Sequence, residues 1–308
     1  KCFLSINTNK IINCNKIDSS AYRKLISKSG RFELTKKFKS FPINLGSFNN
    51  EIPFLWLDTK SNEFLINKKG TYYFIEQDKK DESYKFIFQN SEAKLFIQGN
   101  FENVIFEFNR KFDHQKEKFK EFRYDKNLLT GCVNFFDTSF KNVKIKSSNM
   151  ICEDSVNIKN SSGEISKIEI ENSNFDALDL DFSQIKIKEI IINNAKNDCI
   201  DLSFGEYKIT NANLKNCGDK GFSVGERSKL NLKNASILHS NIGIASKDDA
   251  LTNVSNVIME NINICLAAYN KKREFKGSKI NVDNLNCNKY KKFKQADNLS
   301  EINILKKN

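Results

Sequence analysis

Apolar and polar residues alternate along most of this chain in short runs of four to seven positions, among them "SKIEIEN", "KEIIINN", "ITNANLKN" and "KLNLKNASI". Period-two alternation of this length marks a half-buried β-strand. The Asn, Ser, Gly and Asp clusters between the runs supply turns. The pattern also repeats at longer range. "EDSVNI" at Glu153 returns every 22 residues as "FDALDLDF", "NDCIDLSF", "DKGFSVGE" and "NIGIASKD". Aligned, one apolar column reads Val156, Leu178, Ile200, Phe222 and Ile244. A period in the low twenties marks a solenoid, in which each repeat buries its apolar face only by stacking on its neighbours. No amphipathic run of helical length interrupts residues 130–288, so helix-based repeats are excluded. The expected fold is all-β: a right-handed parallel β-helix with coils of about 22 residues and two or three strands per coil.

Asn172, Asn194 and Asn216 stand at one turn of successive repeats and predict a ladder of stacked amides. Parallel strands lie roughly 4.8 Å apart, within reach of side-chain to side-chain hydrogen bonds. The column Cys132, Ser155, Ala177, Cys199, Gly221 and Gly243 is small throughout, which predicts a sharp bend with little room. Upstream, "NEFLINKKGTYYF", "SYKFIF", "AKLFIQGN" and "NVIFEF" read as less regular coils rich in Phe and Tyr. The β-helix is expected over 51–308, interrupted by a charge-dense loop at 110–127. Residues 1–50 read as an N-terminal cap or linker, with a short helix at "SSAYRKLISKSG". Solenoid ends need covering.

Lys and Arg together number 50 against 38 Asp and Glu, a net charge of +12. That balance suits a polyanionic partner, although lysines on strand edges also oppose aggregation. Zinc-finger, phosphate-loop and RNA-binding aromatic signatures are missing, so nucleic acid is the weaker partner and an acidic polysaccharide the stronger. No run of 18 apolar residues exists, so no membrane span is expected. The eight cysteines are even in number. Cys265 and Cys287 should stack on adjacent coils, while Cys132 with Cys152 and Cys199 with Cys217 are about one coil apart. Disulfides would place the protein outside the cytoplasm: secreted, periplasmic or at the cell surface. The two histidines, His114 and His239, and the missing CxxC spacing argue against zinc.

Candidate chemistry concentrates on the repeated strand. Asp154, Asp176 and Asp198 form one column, with Lys220 at its next step, and Asp179 and Asp201 form a second. Like charges this close require a shared proton, a bound cation or an adjacent lysine. Calcium is the candidate cation, and no motif demands another cofactor. As an enzyme site, Asp176, Asp179, Asp198 and Asp201 would be cation or acid–base groups. Lys220 would be base or charge stabiliser, and Lys247 would meet a substrate carboxylate. Asp219, Glu226, Asp248, Tyr269 and Lys271 would line the same groove. Two other readings stand beside catalysis: a non-catalytic sugar- or cation-binding groove, and a salt-bridged face that fixes coil register or serves adhesion and assembly through a protein partner.

The repeats resemble the pectin-lyase-like superfamily of parallel β-helices over roughly residues 55–290. "CEDSVN", "NDCIDLSFG", "CGDKGFSVGE" and "GIASKDD" followed by "AAYNKKREF" look more closely like bacterial β-helix repeat proteins, some of them linked to spore-coat-protein-H-like modules. The resemblance implies polysaccharide lyases, hydrolases or epimerases working in a groove along one sheet. This chain's residues match neither a calcium-and-arginine lyase site nor a paired-aspartate polygalacturonase site.

Overall fold

The computed structural model describes residues 2–4, 11–13, 55–56, 62–111 and 129–307. The expected short helix in 1–50, His114 and nearly all of the charge-dense loop lie outside the described residues. Two short strands, Cys2–Leu4 and Ile11–Asn13, pair antiparallel. All other strands join one sheet of 18 strands that winds as a parallel β-solenoid of about ten turns. No helix occurs among the described residues.

Each regular coil has three faces. The first runs through Asp154–Lys159, Asp176–Asp181 and Ile200–Ser203, then 222–224, 244–247 and 266–269. The second comprises 162–165, 184–187, 206–209 and 229–232; the third comprises 167–171, 189–193, 211–215 and 234–238. Alternation puts every second side chain inside. Val156, Leu178, Ile200, Phe222, Ile244 and Leu266 stack in one fully buried column, as their periodicity requires. The core changes character along the axis. Up to about residue 140 it is built from packed phenyl rings, such as Phe106 against Phe108 at 5.9 Å and against Phe101 at 5.0 Å. Beyond that point Ile, Leu and Val dominate.

The turn from third face to first carries the predicted amide ladder, and it is longer than the three residues that announced it. Asn172 donates to Asn149, Asn194 to Asn172 and Asn216 to Asn194, at 2.8–3.0 Å. His239 and Asn261 continue it. All six residues have φ between 57° and 64°. That left-handed conformation tolerates Asn best among non-glycine residues. The ladder therefore satisfies a strained turn and welds consecutive coils in one motif.

Three disulfides reinforce the same corner: Cys132–Cys152, Cys199–Cys217 and Cys265–Cys287. They explain why the bend column is small, since the half-cystines Cys132 and Cys199 lie in it. Where glycine takes their place, a Cβ on Gly221 would come within 2.6 Å of the Gly243 carbonyl oxygen.

The turn from first face to second also uses left-handed residues, at Asp137, Asn160, Phe182, Phe204 and Arg227. Hydroxyls stack behind it: Thr138 N–H donates to Ser161 Oγ, and Ser161 N–H to Ser183 Oγ, both at 3.0 Å. The next step is Gly205, where the Tyr207 hydroxyl replaces the missing serine. It donates to the carbonyls of Leu180 or Ser203 and sits where a Cβ on Gly205 would lie.

Candidate functional site

The first face gathers the acidic and basic columns. Asp154, Asp176 and Asp198 are buried rather than displayed; the first two open their strands at the bend and Asp198 lies two residues before its own. Asp176 Oδ1 accepts from the Asp198 N–H at 2.8 Å and from Asn197 Nδ2 at 2.6 Å. Asp198 Oδ1 in turn accepts from the Lys220 N–H at 3.0 Å. Asp176 and Asp198 thus staple the backbone of the following coil. The expected compensation by Lys220 is present: its Nζ lies 3.3 Å from Asp198 Oδ1, and it also pairs with Asp219.

Burial sets the electrostatics. It pushes Asp176 up to about 8, helped by the negative charge of Asp198. Asp198 rises to about 6, burial again leading, with Lys220 pulling the other way. Asp154 rises to about 7 through burial, against a hydrogen bond from Thr130. Asp179 and Asp181 are raised by burial too, Asp179 further by Asp181 and Asp181 held back by Lys159. Lys220 goes above the ordinary lysine value: burial opposes the ammonium, but Asp198 and Asp219 outweigh it. It is therefore a fixed cation.

One oxygen from each of Asp176, Asp198 and Asp201 falls within 4.8 Å of the others. Asp201 is the half-buried member, and its Oδ1 lies 3.8 Å from Lys247 Nζ. Lys247 is buried and donates to Ser223 Oγ at 2.7 Å. Its charge also reaches Asp198, Asp219, Glu226 and Tyr269, which makes it the electrostatic centre of the cluster. Tyr269, its strand partner, is half-buried beside it. Burial raises the Tyr269 hydroxyl against the pull of Lys247 and Lys220.

The remaining expected groove residues divide. Asp219 stays below the usual carboxylate range despite burial, because Lys220 and Asn241 hydrogen-bond it. Glu226 does likewise through Lys272 and Ser203. Asp248 is wholly buried, and its Oδ1 accepts the N–H groups of Lys271 at 2.6 Å and Lys272 at 2.8 Å. Through these bonds it anchors a loop. Lys271 is exposed on that loop.

The loop is a true insertion. The Asn253–Asn281 step spans 28 residues where Asn231–Asn253 spans 22. Asn270 organises it by donating to the carbonyls of Lys272 and Phe275 at 2.9 and 2.8 Å. It brings Lys272 onto Glu226 and Phe275 towards Phe204.

Sequence reading passed over Phe182 and Phe204. They lie 22 residues apart on the rim of the first face, 50% and 38% exposed, with rings stacked at 4.8 Å and inclined by 5°. The signal was available: two aromatics at a turn position where the preceding coil carries Asn160.

Comparison with protein-family models, curated proteins and solved structures finds no match to this chain. The third face carries a shallow groove with Asn211, Asn234 and Asn256 along it and Ala212 and Ala235 at its floor. Glu189 is the single ionisable residue in its lining, so it lacks the acid–base pairing of the first face.

Proposed function

We propose that the protein is an exported β-helix, of the pectin-lyase-like kind, that binds an acidic polysaccharide along its first face and cleaves it by acid–base chemistry. The observation that carries this reading is the Asp176–Asp198 pair. Two neighbouring carboxyl groups, one pushed to about 8 and the other to about 6, hold one proton between them near neutrality. Environments that separate two carboxyls in this way assign an acid and a base. Asp176 Oδ1 accepts two hydrogen bonds, which leaves Oδ2 to carry the proton donated to a leaving oxygen. The base is Asp198 together with Asp201, the more accessible carboxylate, whose oxygen lies within 4.8 Å of the other two and meets the attacking water. Lys247 and the permanently charged Lys220 neutralise the sugar carboxylate, so Lys220 acts as charge stabiliser rather than base. The parallel faces of a solenoid offer a linear surface suited to a polymer, and three disulfides suit an oxidising compartment. Calcium would fall to the oxygens of Asp176, Asp198 and Asp201.

The side chain to backbone staples favour a second reading, in which the acidic column is scaffold and the protein is an adhesion or assembly module. Asp201 separates the two, because its carboxylate meets the N–H of its own neighbour Leu202 and the Lys247 ammonium rather than another coil's backbone. Release of reducing ends from polygalacturonate, alginate and glucuronan should be measured for wild type and Asp201→Asn, with the melting temperature of each. The expected result is at least a hundredfold loss of rate, on the order of a removed acid–base group, at unchanged melting temperature. Absence of both cleavage and binding in the wild type would leave the assembly reading.

A further inference from the structure

Phe182 and Phe204 occupy a turn position that costs a bulky side chain energy, with φ of 48° in both. One and two coils earlier the same turn carries Asn160 and Asp137, which suit that geometry. Strain held in two successive coils, by exposed aromatic rings beside a candidate site, points to a use for the rings.

The rings lie like coins along the solenoid axis. On one side the column continues to Phe275, 6.0 Å from Phe204 and tilted by 59°, with the Arg227 guanidinium 5.4 Å from the Phe275 ring. On the other side Phe182 meets no third ring among the described residues. Asn160 at the corresponding step is small and exposed, and the Lys159 ammonium stands over the ring, at 5.5 Å. Lys159 is itself 42% exposed and held by Asp181 at 3.7 Å, a weak surface pairing.

The geometry points to a saccharide subsite on Phe182: a pyranose ring bearing a carboxylate continues the stack by one coil, its apolar face on the phenyl ring and its carboxylate paired with Lys159. This rests on the reading of the first face as an acidic-polysaccharide groove and gives it a defined position, because Asp181 and Asp179 adjoin the stack on the same strand. The ligand displaces an ammonium from the ring face and then uses it, so ring and charge are recognised together. A ring without the carboxylate gains the stacking alone.

Calorimetric titration tests this with oligomers of galacturonate, guluronate and glucuronate and the carboxyl-reduced form of each. Wild type should prefer the acidic forms. Phe182→Asn restores the residue found one coil earlier and should fold at least as well, yet bind acidic and reduced forms about three- to tenfold more weakly. Lys159→Gln should weaken only the acidic forms. Asn160→Phe extends the phenyl stack into the proposed ring position and should block binding without unfolding. It also serves if Phe182→Asn folds poorly. Binding that needs Lys247 but is indifferent to Phe182→Asn and Asn160→Phe would overturn the subsite and leave the groove. Absence of binding by every oligomer would overturn both.

Discussion

Two corners of each coil use the same left-handed backbone, and only one keeps the residue that suits it. At the corner between third and first faces, Asn149, Asn172, Asn194, Asn216, His239 and Asn261 make an unbroken amide-type ladder, and three disulfides brace it. At the corner between first and second faces the same conformation passes through Asp137, Asn160, Phe182, Phe204 and Arg227. Regularity at the first corner is what stability alone would select, since each side chain pays back its own turn. Departure at the second corner has no such return beyond a ring stack of about 0.5–1.5 kcal/mol. It lies along the edge of the face where carboxylates are forced into low-dielectric surroundings. The scaffold is at one corner and the candidate chemistry beside the other.

Breaking the braced corner should produce the largest effect. Cys199 and Cys217 close a loop of 18 residues, and a cross-link of that span stabilises by about 3 kcal/mol. Cys199→Ser with Cys217→Ser should therefore lower the denaturant midpoint markedly, and dithiothreitol should do the same to the wild type. No loss in urea titration would mean that the amide ladder holds the corner unaided.

The acidic face should dominate the pH dependence of stability, in an unusual direction for carboxylates. Asp176, Asp154 and Asp198, at about 8, 7 and 6, hold protons in the folded chain that the unfolded chain, with values near 3.8, has released. Between about pH 4 and 8 the folded state binds more protons, so stability falls as pH rises through that window. Below it, Glu226 and Asp219, held low by Lys272 and Lys220, lose their contribution as they protonate. The melting temperature should be highest near pH 4 and fall continuously towards pH 8.5, by at least about 5 °C, since each unit of displaced pKa carries about 1.4 kcal/mol. Asp176→Asn should flatten that slope. A profile that instead rises from pH 5 to 8.5 would show the carboxyls to be well solvated.

How much of this was legible in the sequence follows from the same comparison. A period of 22 with Val156, Leu178 and Ile200 in one column dictates a solenoid, because apolar side chains at that spacing can be buried only by stacking. Asn172, Asn194 and Asn216 announced their ladder, since only stacked amides explain identical residues at a turn. All three disulfides followed from coil spacing. Burial of Asp176 and Asp198 did not: alternation says which face a strand residue occupies, but not that a carboxylate near the bend turns along the axis to the next coil's N–H. Asp248 looked like a groove residue for the same reason, although it closes the loop it precedes. Phe182 and Phe204 were legible only as aromatics at a turn position; that their rings stack in the open follows from the turn's φ and not from the residue pattern.

The smallest effect concerns the one ladder position that breaks its own rule. His239 Nδ1 lies 3.1 Å from Asn216 Oδ1, and its Nε2 lies 3.0 Å from Asn261 Nδ2. An amide nitrogen can only donate and an amide oxygen only accept, so the ring must carry its proton on Nδ1 and accept at Nε2. A neutral imidazole thereby imitates an asparagine. His239→Asn should raise stability by about 0.5 kcal/mol, an asparagine being better suited to the left-handed turn. Measured by urea unfolding at neutral pH, an unchanged or lowered midpoint would show that the imidazole serves the ladder as well as an amide does.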